Sequence, residues 1–206
     1  MPYPPAHREE TRMRILDAAR RLFNRRGFGE VSIDEVMAGA GLTRGGFYSY
    51  FPSKEALYAE AIRHFLDSAD FAAWTCSGEG RRLAGAALAR HIIDTYLSQA
   101  HLAEVEAGCP LIGMASDVAR SDGPARTAYR QLLDSMAAGF AAHLGPDPLD
   151  DGANAPDQRA LAVVALCVGG MVLARAVDDT ARAEALRAAA HRYAVTLAGW
   201  QARAES

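Results

Sequence analysis

Apolar residues recur at intervals of three and four along most of the chain, the spacing of α-helices with one buried face. Over residues 8–26 this pattern predicts a first helix. Gly27 predicts its end, because glycine readily adopts the left-handed conformation that closes helices. Residues 1–7, which carry prolines and charges, are expected to form a flexible arm in front of it.

Three helices are predicted next, two short and one longer, each with its own start signal. Ser32 and Glu35 have the spacing of a capping box, which starts a helix that ends near residues 39–41. Thr43 is expected to cap a third helix, which Pro52 stops. Ser53 is expected to cap a longer fourth helix that reaches about residue 65. Helices two and three, joined by a glycine-containing turn, are typical of a helix-turn-helix.

The rest of the chain also has helical periodicity. We expect helices over about residues 81–101, a short amphipathic stretch over 111–120, a helix from about 124, and two final helices over 157–177 and 182–204. Residues 145–156 are rich in proline, glycine and aspartate and are expected to be an exposed connection. The predicted fold class is all-α, with a three-helix helix-turn-helix DNA-binding domain over 1–52. A helical ligand-binding and dimerisation domain is predicted over 53–206.

The net charge also differs between the N-terminal part of the chain and the remainder. The first 65 residues carry ten Lys or Arg against eight Asp or Glu, a net charge of +2. The remainder carries twelve against seventeen, a net of −5, so a basic head that meets phosphate is expected on an acidic body.

Three cysteines without paired spacing argue against disulfides and a zinc site and favour a reducing compartment. The longest apolar run, residues 161–174, is shorter than a membrane span, and no signal peptide is evident.

Two faces of the third helix carry the candidate chemistry. Phe47 and Phe51 lie four residues apart and are expected to point together into the core. Arg44 and Tyr48 share another face. An arginine fork there matches the two acceptors of guanine. The hydroxyls of Tyr48 and Tyr50 can reach phosphate, which positions a protein on DNA without reading sequence.

Lys54 is the only lysine in the chain and lies in the first turn of the fourth helix. A cation is unfavourable at that end of the helix dipole unless an anion is near. A DNA phosphate bound by Lys54 and the free amides of the helix end would remove the conflict. The alternative is a solvated lysine beside Glu55, and the surrounding motif favours the phosphate.

The stretch VSIDEVMAGAGLTRGGFYSYFPSKEALY, residues 31–58, resembles the signature of TetR/AcrR-family transcriptional regulators. The resemblance implies a dimeric DNA-binding regulator, with repression as the usual mode and a small-molecule effector that shifts the population away from the DNA-bound form. By this resemblance, base-reading or groove-facing positions are Arg44, Gly45, Gly46, Tyr48 and Ser49, and phosphate-contacting positions are Thr43, Tyr50 and Lys54. Ser32 completes the predicted DNA-contacting set.

Family members dimerise through their last two helices, and two apolar stripes at three-four spacing agree with that expectation. The alternative is that both stripes cover the chain's own core. A two-fold dimer predicts a palindromic operator. The predicted interface residues are Leu161, Val164, Val168, Met171, Arg175, Leu186, Tyr193, Leu197 and Trp200.

The middle helices are the candidate sensor for a largely apolar effector. The family's architecture places a pocket among them, although an ordinary core explains each side chain taken singly. The predicted pocket residues are His64, Phe65, Trp74, Tyr96, Cys109, Met114, Met136 and Phe140.

Cys109, in the motif Gly108-Cys109-Pro110-Leu111, opens a short helical stretch. The pattern resembles a subgroup of the family that includes sensors of reactive electrophiles. Free amides at a helix start favour a thiolate, whereas nearby Glu104 and Glu106 disfavour it. Packing as a small apolar residue is the favoured alternative.

Other classes of function have less support. No nucleophile elbow, phosphate-binding loop or dinucleotide fingerprint is present, and the six histidines are scattered, so we expect neither an enzyme nor a cofactor. An effector-independent architectural DNA-binding protein remains an alternative, but residues 66–206 exceed what dimerisation needs. The sequence therefore predicts a cytoplasmic regulator associated with the bacterial nucleoid. Its expected partners are double-stranded DNA, an effector and a second copy, with no membrane.

Overall fold

The computed structural model describes residues 5–76, 82–145 and 156–200. Within these ranges the secondary structure is helical. An isolated antiparallel bridge joins Cys76 and Arg82, and no longer strand forms there. The all-α prediction is confirmed.

The first part of the chain contains four α-helices and two 3₁₀ helices. Their bounds are α1 Pro5–Glu30, α2 Ile33–Gly39, a 3₁₀ helix Arg44–Ser49 (the 3₁₀ segment below), α3 Lys54–Arg63, a second 3₁₀ helix His64–Asp67, and α4 Ala69–Trp74. The later helices are α5 Gly85–Tyr96, α6 Gln99–Ala103, α7 Pro110–Gly113, α8 Ala115–Ala119, α9 Pro124–Ala141, α10 Pro156–Ala176 and α11 Thr180–Leu197.

The first helix starts earlier and ends later than the sequence predicted. It begins at Pro5, a residue well suited to a first helical position, so the predicted arm is wrong for residues 5–7. Gly27 interrupts the helix with φ 78°, as expected of glycine, but the chain resumes a helical course to Glu30. The amide of Phe28 donates to Asp117 Oδ2 (2.7 Å), which holds this kink.

The predicted helix over residues 81–101 is two helices. It breaks after Tyr96, and Ser98 caps the second helix by accepting from the amide of His101 (3.1 Å). The buried Arg187 donates to the carbonyl of Leu97 at the break, so a residue far along the chain satisfies the interrupted backbone. The amphipathic stretch 111–120 likewise divides into α7 and α8 at Met114. The predicted connection over 145–156 lies mainly outside the described residues. The last helix ends at Leu197 and not near 204 as predicted, and Gly199 just beyond it has φ 71°.

The chain divides into two compact units. The first comprises the described residues of Met1–Phe71 and Val105–Leu132, and the second those of Ala72–Glu104 and Leu133–Ser206. The core of the first unit joins α1, α2, the 3₁₀ segment and α3 through buried aromatic and aliphatic side chains, among them Ile15, Phe23, Phe47, Phe51 and Leu57. The predicted domain boundary at residue 52 stays a prediction.

Two long helices, α10 and α11, pack along each other in the second unit. Their close approach depends on Gly170, since a Cβ there would lie 2.4 Å from the Cβ of Ala190. Arg159 is buried at the end of this pair and donates to the carbonyls of Leu197 and Gly145. Gln158–Ala176 within α10 is long and apolar enough to cross a membrane by length and composition alone, a test that core helices also pass, and 44% of it is buried.

Candidate nucleic-acid interface

The second helix is fixed by a complete capping box. Ser32 Oγ accepts from the amide of Glu35 (3.2 Å), and the Glu35 carboxylate accepts from the amide of Ser32 (2.8 Å). Arg26 also donates to Glu35 (2.5 Å). The hydrogen bond from Arg26, reinforced by the bonds from Ser32, lowers the pKa of Glu35 to about 2. These bonds fix the start of α2 and so give the 3₁₀ segment a firm support.

The 3₁₀ segment has the two faces that its sequence predicted. Phe47 and Phe51 are buried and pack within 6.0 Å of each other, ring centroid to ring centroid. Tyr48, on the other face, is 65% exposed, and Arg44 is exposed beside it. The element is a tighter 3₁₀ helix rather than the α-helix expected. Gly45 and Ser49 are exposed too, and Gly46 and Tyr50 are half-buried.

The predicted cap of this segment is absent. The Thr43 side chain makes no capping hydrogen bond, because the amide of Gly46 that it would accept from bonds to the carbonyl of Thr43 instead (3.3 Å). Thr43 is exposed, and its hydroxyl remains a candidate for phosphate contact.

An acidic neighbour of Arg44 was missed by the sequence reasoning. Arg44 Nη1 donates to Asp34 Oδ2 (3.1 Å), and both side chains are exposed. Asp34 lies in the first turn of α2, ten residues before Arg44. An acidic residue there fits the helix dipole equally well without any partner, so the sequence held no signal for this pair.

The start of α1 lies against the end of the 3₁₀ segment, which the sequence also did not indicate. Arg8 Nη2 donates to the carbonyl of Ser49 (2.7 Å), and its guanidinium lies 6.0 Å from the ring centroid of Tyr50. Arg12 lies over the ring of Phe51 (5.0 Å) and bonds to Glu60. Together with Glu9 and Tyr50, these arginines line a groove of about 320 Å³. Two arginines therefore flank the exposed face.

Lys54 has a partner within the chain. Its ammonium donates to the carbonyl of Phe28, at the end of α1, and lies 4.3 Å from the Phe28 ring centroid. Burial lowers the pKa of Lys54. The Lys54 cation, which is unfavourable at the start of α3, is thus stabilised by the Phe28 carbonyl and the face of the Phe28 ring. An ammonium has three N–H donors, and the Phe28 carbonyl accepts from one of them. The bond to Phe28 therefore leaves donors for a phosphate, and that contact stays a prediction.

Comparison with known proteins identifies the family. The N-terminal domain of bacterial regulatory proteins of the tetR family matches residues 15–61. The C-terminal domain of LmrA/YxaF-like transcriptional regulators matches residues 85–192, more than half of the chain. The chain belongs to the TetR family.

Curated transcriptional regulators resemble about a quarter of the chain. The uncharacterised transcriptional regulator YdgC of Bacillus subtilis is 46% identical over 56 residues, which are 27% of this chain and 29% of YdgC. The regulator EthR of Mycolicibacterium smegmatis is 45% identical over 56 residues, 27% of this chain and 26% of EthR. The chain thus covers less than a third of the length of these relatives.

Solved structures extend the likeness of fold to the whole chain. The reduced form of NemR from Escherichia coli superposes with a TM-score of 0.67 at 20% identity, covering 96% of this chain and all of that one. A TetR regulator from Chloroflexus aurantiacus superposes with a TM-score of 0.70 at 23% identity, covering 95% and 98%. At these identities the likeness is one of fold.

The eight predicted pocket residues are divided between the two units. His64, Phe65, Cys109 and Met114 belong to the first unit, and Trp74, Tyr96, Met136 and Phe140 to the second. In the first unit, His64 pairs with Asp17 on α1 (3.4 Å), and Cys109 is buried at the start of the four-residue α7. Whether these eight residues line one effector pocket stays a prediction.

The second unit contains an aromatic cluster that includes a histidine missed by the sequence reasoning. The ring centroids of Trp74 and Tyr96 are 5.7 Å apart, and each lies within 5.0 Å of the ring of His101. His101 is 4% exposed, and its Nδ1 lies 2.6 Å from the carbonyl of Tyr96. Because a carbonyl only accepts, Nδ1 carries the proton and Nε2 is an acceptor. Burial lowers the pKa of His101 to about 4, so the ring is neutral.

The predicted dimer residues on α10 differ in their exposure within the single chain. Val164 and Met171 are buried, and their place in a dimer interface stays a prediction. Arg175 donates to the carbonyls of His101 (2.5 Å) and Glu104 (2.9 Å) of the same chain. Of the other predicted residues, Leu161 and Tyr193 are exposed, and the rest are half-buried: Val168, Leu186, Leu197 and Trp200.

The apolar side chains that α10 exposes lie to one side of the predicted stripe. They are Leu161, Val172 and Leu173, followed by Val177 just beyond the helix; we call these four the exposed α10 stripe. Leu173 is 54% exposed, and Tyr193 of α11 is 58% exposed. Apolar side chains in this number on one helix are typical of a surface that another helix covers.

Proposed function

We propose that this TetR-family chain binds a palindromic DNA operator as a homodimer, represses transcription there, and dissociates when a small-molecule effector binds. The observation that carries the DNA part is the 3₁₀ segment, whose Phe47 is buried together with Phe51 just beyond it, while Arg44 and Tyr48 stand exposed. An arginine held on a rigid support at the surface fits the major-groove edge of guanine. Tyr48, Tyr50, Thr43 and Lys54 are the proposed phosphate contacts, and Ser32 completes the proposed DNA-contacting set.

Dimerisation is proposed through the exposed α10 stripe together with α11. The acidic body then carries two basic heads related by a two-fold axis, and an operator with two equivalent half-sites follows from that symmetry. A regulator of this kind acts in the cytoplasm on nucleoid DNA.

The effector site is proposed at the Trp74–Tyr96–His101 cluster of the second unit. Nε2 of His101 is buried and has no hydrogen-bond partner among the described residues. A buried acceptor without a partner is unfavourable, and a ligand that donates to it removes the penalty. The proposed effector is therefore a largely apolar molecule, compatible with aromatic rings, that carries one hydrogen-bond donor.

Mobility-shift measurements test the two halves separately. Fragmented genomic DNA is incubated with the chain at low and at physiological salt, with and without a small-metabolite extract. We expect sequence-selective complexes that the extract dissociates. No retained DNA at low salt contradicts the regulator, and complexes insensitive to every extract contradict the effector and favour an architectural protein.

Matched aromatic pairs test the chemistry of the effector site. Phenol and toluene, or 2-naphthol and naphthalene, are similar in shape and differ in a hydroxyl donor. We expect the hydroxylated member of each pair to raise the melting temperature more, and the preference to disappear in His101→Phe. Equal shifts with both members would show that His101 Nε2 does not recognise a donor.

A further inference from the structure

An exposed carboxylate on a DNA-facing surface needs an explanation. Asp34 is exposed, as is Arg44, whose guanidinium it binds (3.1 Å). DNA carries one negative charge per ~1.7 Å of helix axis, so a carboxylate at the interface weakens binding to every DNA sequence. At the proposed interface Asp34 would lower the affinity for all DNA, and its ion pair with Arg44 is a contact through which a compensating gain can arise.

We propose that Asp34 is a positioning and specificity-determining residue that acts through Arg44. The proposal rests on the proposed function, since it requires that Arg44 reads DNA bases. Asp34 holds the Arg44 guanidinium in place until a guanine edge replaces Asp34 or binds beside it. Asp34 also competes with DNA backbone phosphates for the same guanidinium.

The geometry allows Asp34 to hold Arg44 without blocking it. The ion pair uses Nη1 of Arg44, which belongs to a rigid planar fork with five N–H donors. An arginine side chain loses rotamer entropy when it becomes fixed. A partner that limits its conformations beforehand reduces the loss on binding.

The backbone position of Asp34 is well defined, so its carboxylate can restrict where the Arg44 side chain lies. It lies on the first turn of α2, between the two members of the capping box, Ser32 and Glu35. Glu35 is occupied by Arg26 (2.5 Å), so the two carboxylates of this turn have separate arginine partners. The backbone that carries Asp34 is thus set by hydrogen bonds that do not involve Arg44.

Asp34 also competes with DNA phosphates for Arg44, and this competition is the second contribution to specificity. On DNA without the preferred base, Arg44 chooses between Asp34 and a phosphate, and the pair with Asp34 removes one cation from non-specific contact. Specificity is a difference of affinities, and weakening the wrong complex raises it as much as strengthening the right one. An exposed ion pair contributes little to stability, so the effect belongs to DNA discrimination.

The test measures binding to two duplexes by fluorescence anisotropy over a range of salt concentrations. One duplex is enriched from a random library by the wild-type chain, and the other is a shuffled sequence of equal composition. The variants are Asp34→Ala, Arg44→Ala and the double variant. Glu30→Ala removes an equal charge from an exposed residue four positions earlier and serves as the control.

We expect Asp34→Ala to tighten binding to the shuffled duplex about twofold and to lower the ratio of the two affinities about threefold to fivefold. Glu30→Ala should leave that ratio unchanged. In the Arg44→Ala background, Asp34→Ala should leave it unchanged as well.

Two results overturn the proposal. An unchanged ratio in Asp34→Ala shows that Asp34 is only a surface charge. An equal loss of ratio with and without Arg44 shows that Asp34 contacts DNA directly, as carboxylates do at cytosine. Failure of the proposed function is distinguishable from both, because the wild-type chain then enriches no duplex at all.

Discussion

Single residues gain their roles from partners that lie far away in the sequence. Lys54 illustrates this, since its ammonium binds the carbonyl of Phe28, 26 residues earlier. The sequence correctly singled out Lys54 as unusual at the start of α3, but the explanation by phosphate alone was incomplete. The carbonyl of a kinked helix end cannot be recognised from residue spacing.

Replacing Lys54 by alanine is expected to act on folding as well as on DNA. Loss of the charged hydrogen bond to Phe28 should lower the free energy of unfolding by about 1–2 kcal/mol in chemical denaturation without DNA. Arg63→Ala, which removes a charge at the far end of the same helix, should change it by less than about 0.5 kcal/mol. Equal effects of the two substitutions would show that the Phe28 contact contributes nothing.

His101 makes stability depend on pH. Its pKa is depressed to about 4 by burial, below the ordinary value of 6.5, so the unfolded chain binds the proton more readily. Stability is then present above pH 6.5 and is lost as the pH falls toward 4, by about 2 kcal/mol between neutral pH and pH 5.

The measurement is urea denaturation at pH 7 and pH 5. His101→Gln should lose most of the difference attributable to this group, whereas His143→Gln, at an exposed histidine, should keep it. A pH dependence identical in wild type and His101→Gln would contradict the buried neutral ring.

Several local signals predicted their structural features well. The capping box of Ser32 and Glu35, the positive φ of Gly27 and the inward pair Phe47 and Phe51 all follow from spacings of a few residues, and all three are confirmed. The break at Leu97 was missed because a distant arginine, Arg187, donates to the buried carbonyl of Leu97. Local periodicity continues across that break, so only the tertiary contact reveals it.

The packing of α10 on α11 gives an element-scale prediction. Gly170→Ala brings a Cβ to 2.4 Å from that of Ala190 and should lower the melting temperature by several degrees. Gly169→Ala is the matched control, because nothing lies within 4 Å of its added Cβ and alanine favours the helix by up to ~1 kcal/mol. A Gly170→Ala protein as stable as Gly169→Ala would contradict this packing.

At the scale of the whole molecule, the exposed α10 stripe is the feature that a single chain leaves unexplained. The sequence predicted an interface on this helix but assigned it to a stripe that includes Val164 and Met171, which the chain buries itself. The predicted stripe has helical spacing, but α10 carries apolar residues on more than one side. Periodicity therefore cannot decide which side meets α11 and which side remains exposed.

Dimerisation can be tested at Leu173. Leu173→Arg places a charge in the proposed interface, where an unpaired buried cation is strongly unfavourable, and should convert a dimer to a monomer in sedimentation velocity at micromolar concentration. Ala87→Arg, on the exposed surface of α5, should leave the dimer intact. A wild-type monomer, or a dimeric Leu173→Arg protein, would contradict an interface at the stripe.

The exposed face of the 3₁₀ segment is expected to read DNA sequence, and the whole proposed function depends on that face. Its most direct test is selection from a random duplex library by the wild-type chain and by Arg44→Ala, with sequencing of the retained DNA. We expect a palindromic consensus for the wild type and the loss of preference at one base pair in each half-site for Arg44→Ala. No consensus, or the same consensus from both proteins, would contradict base reading by Arg44.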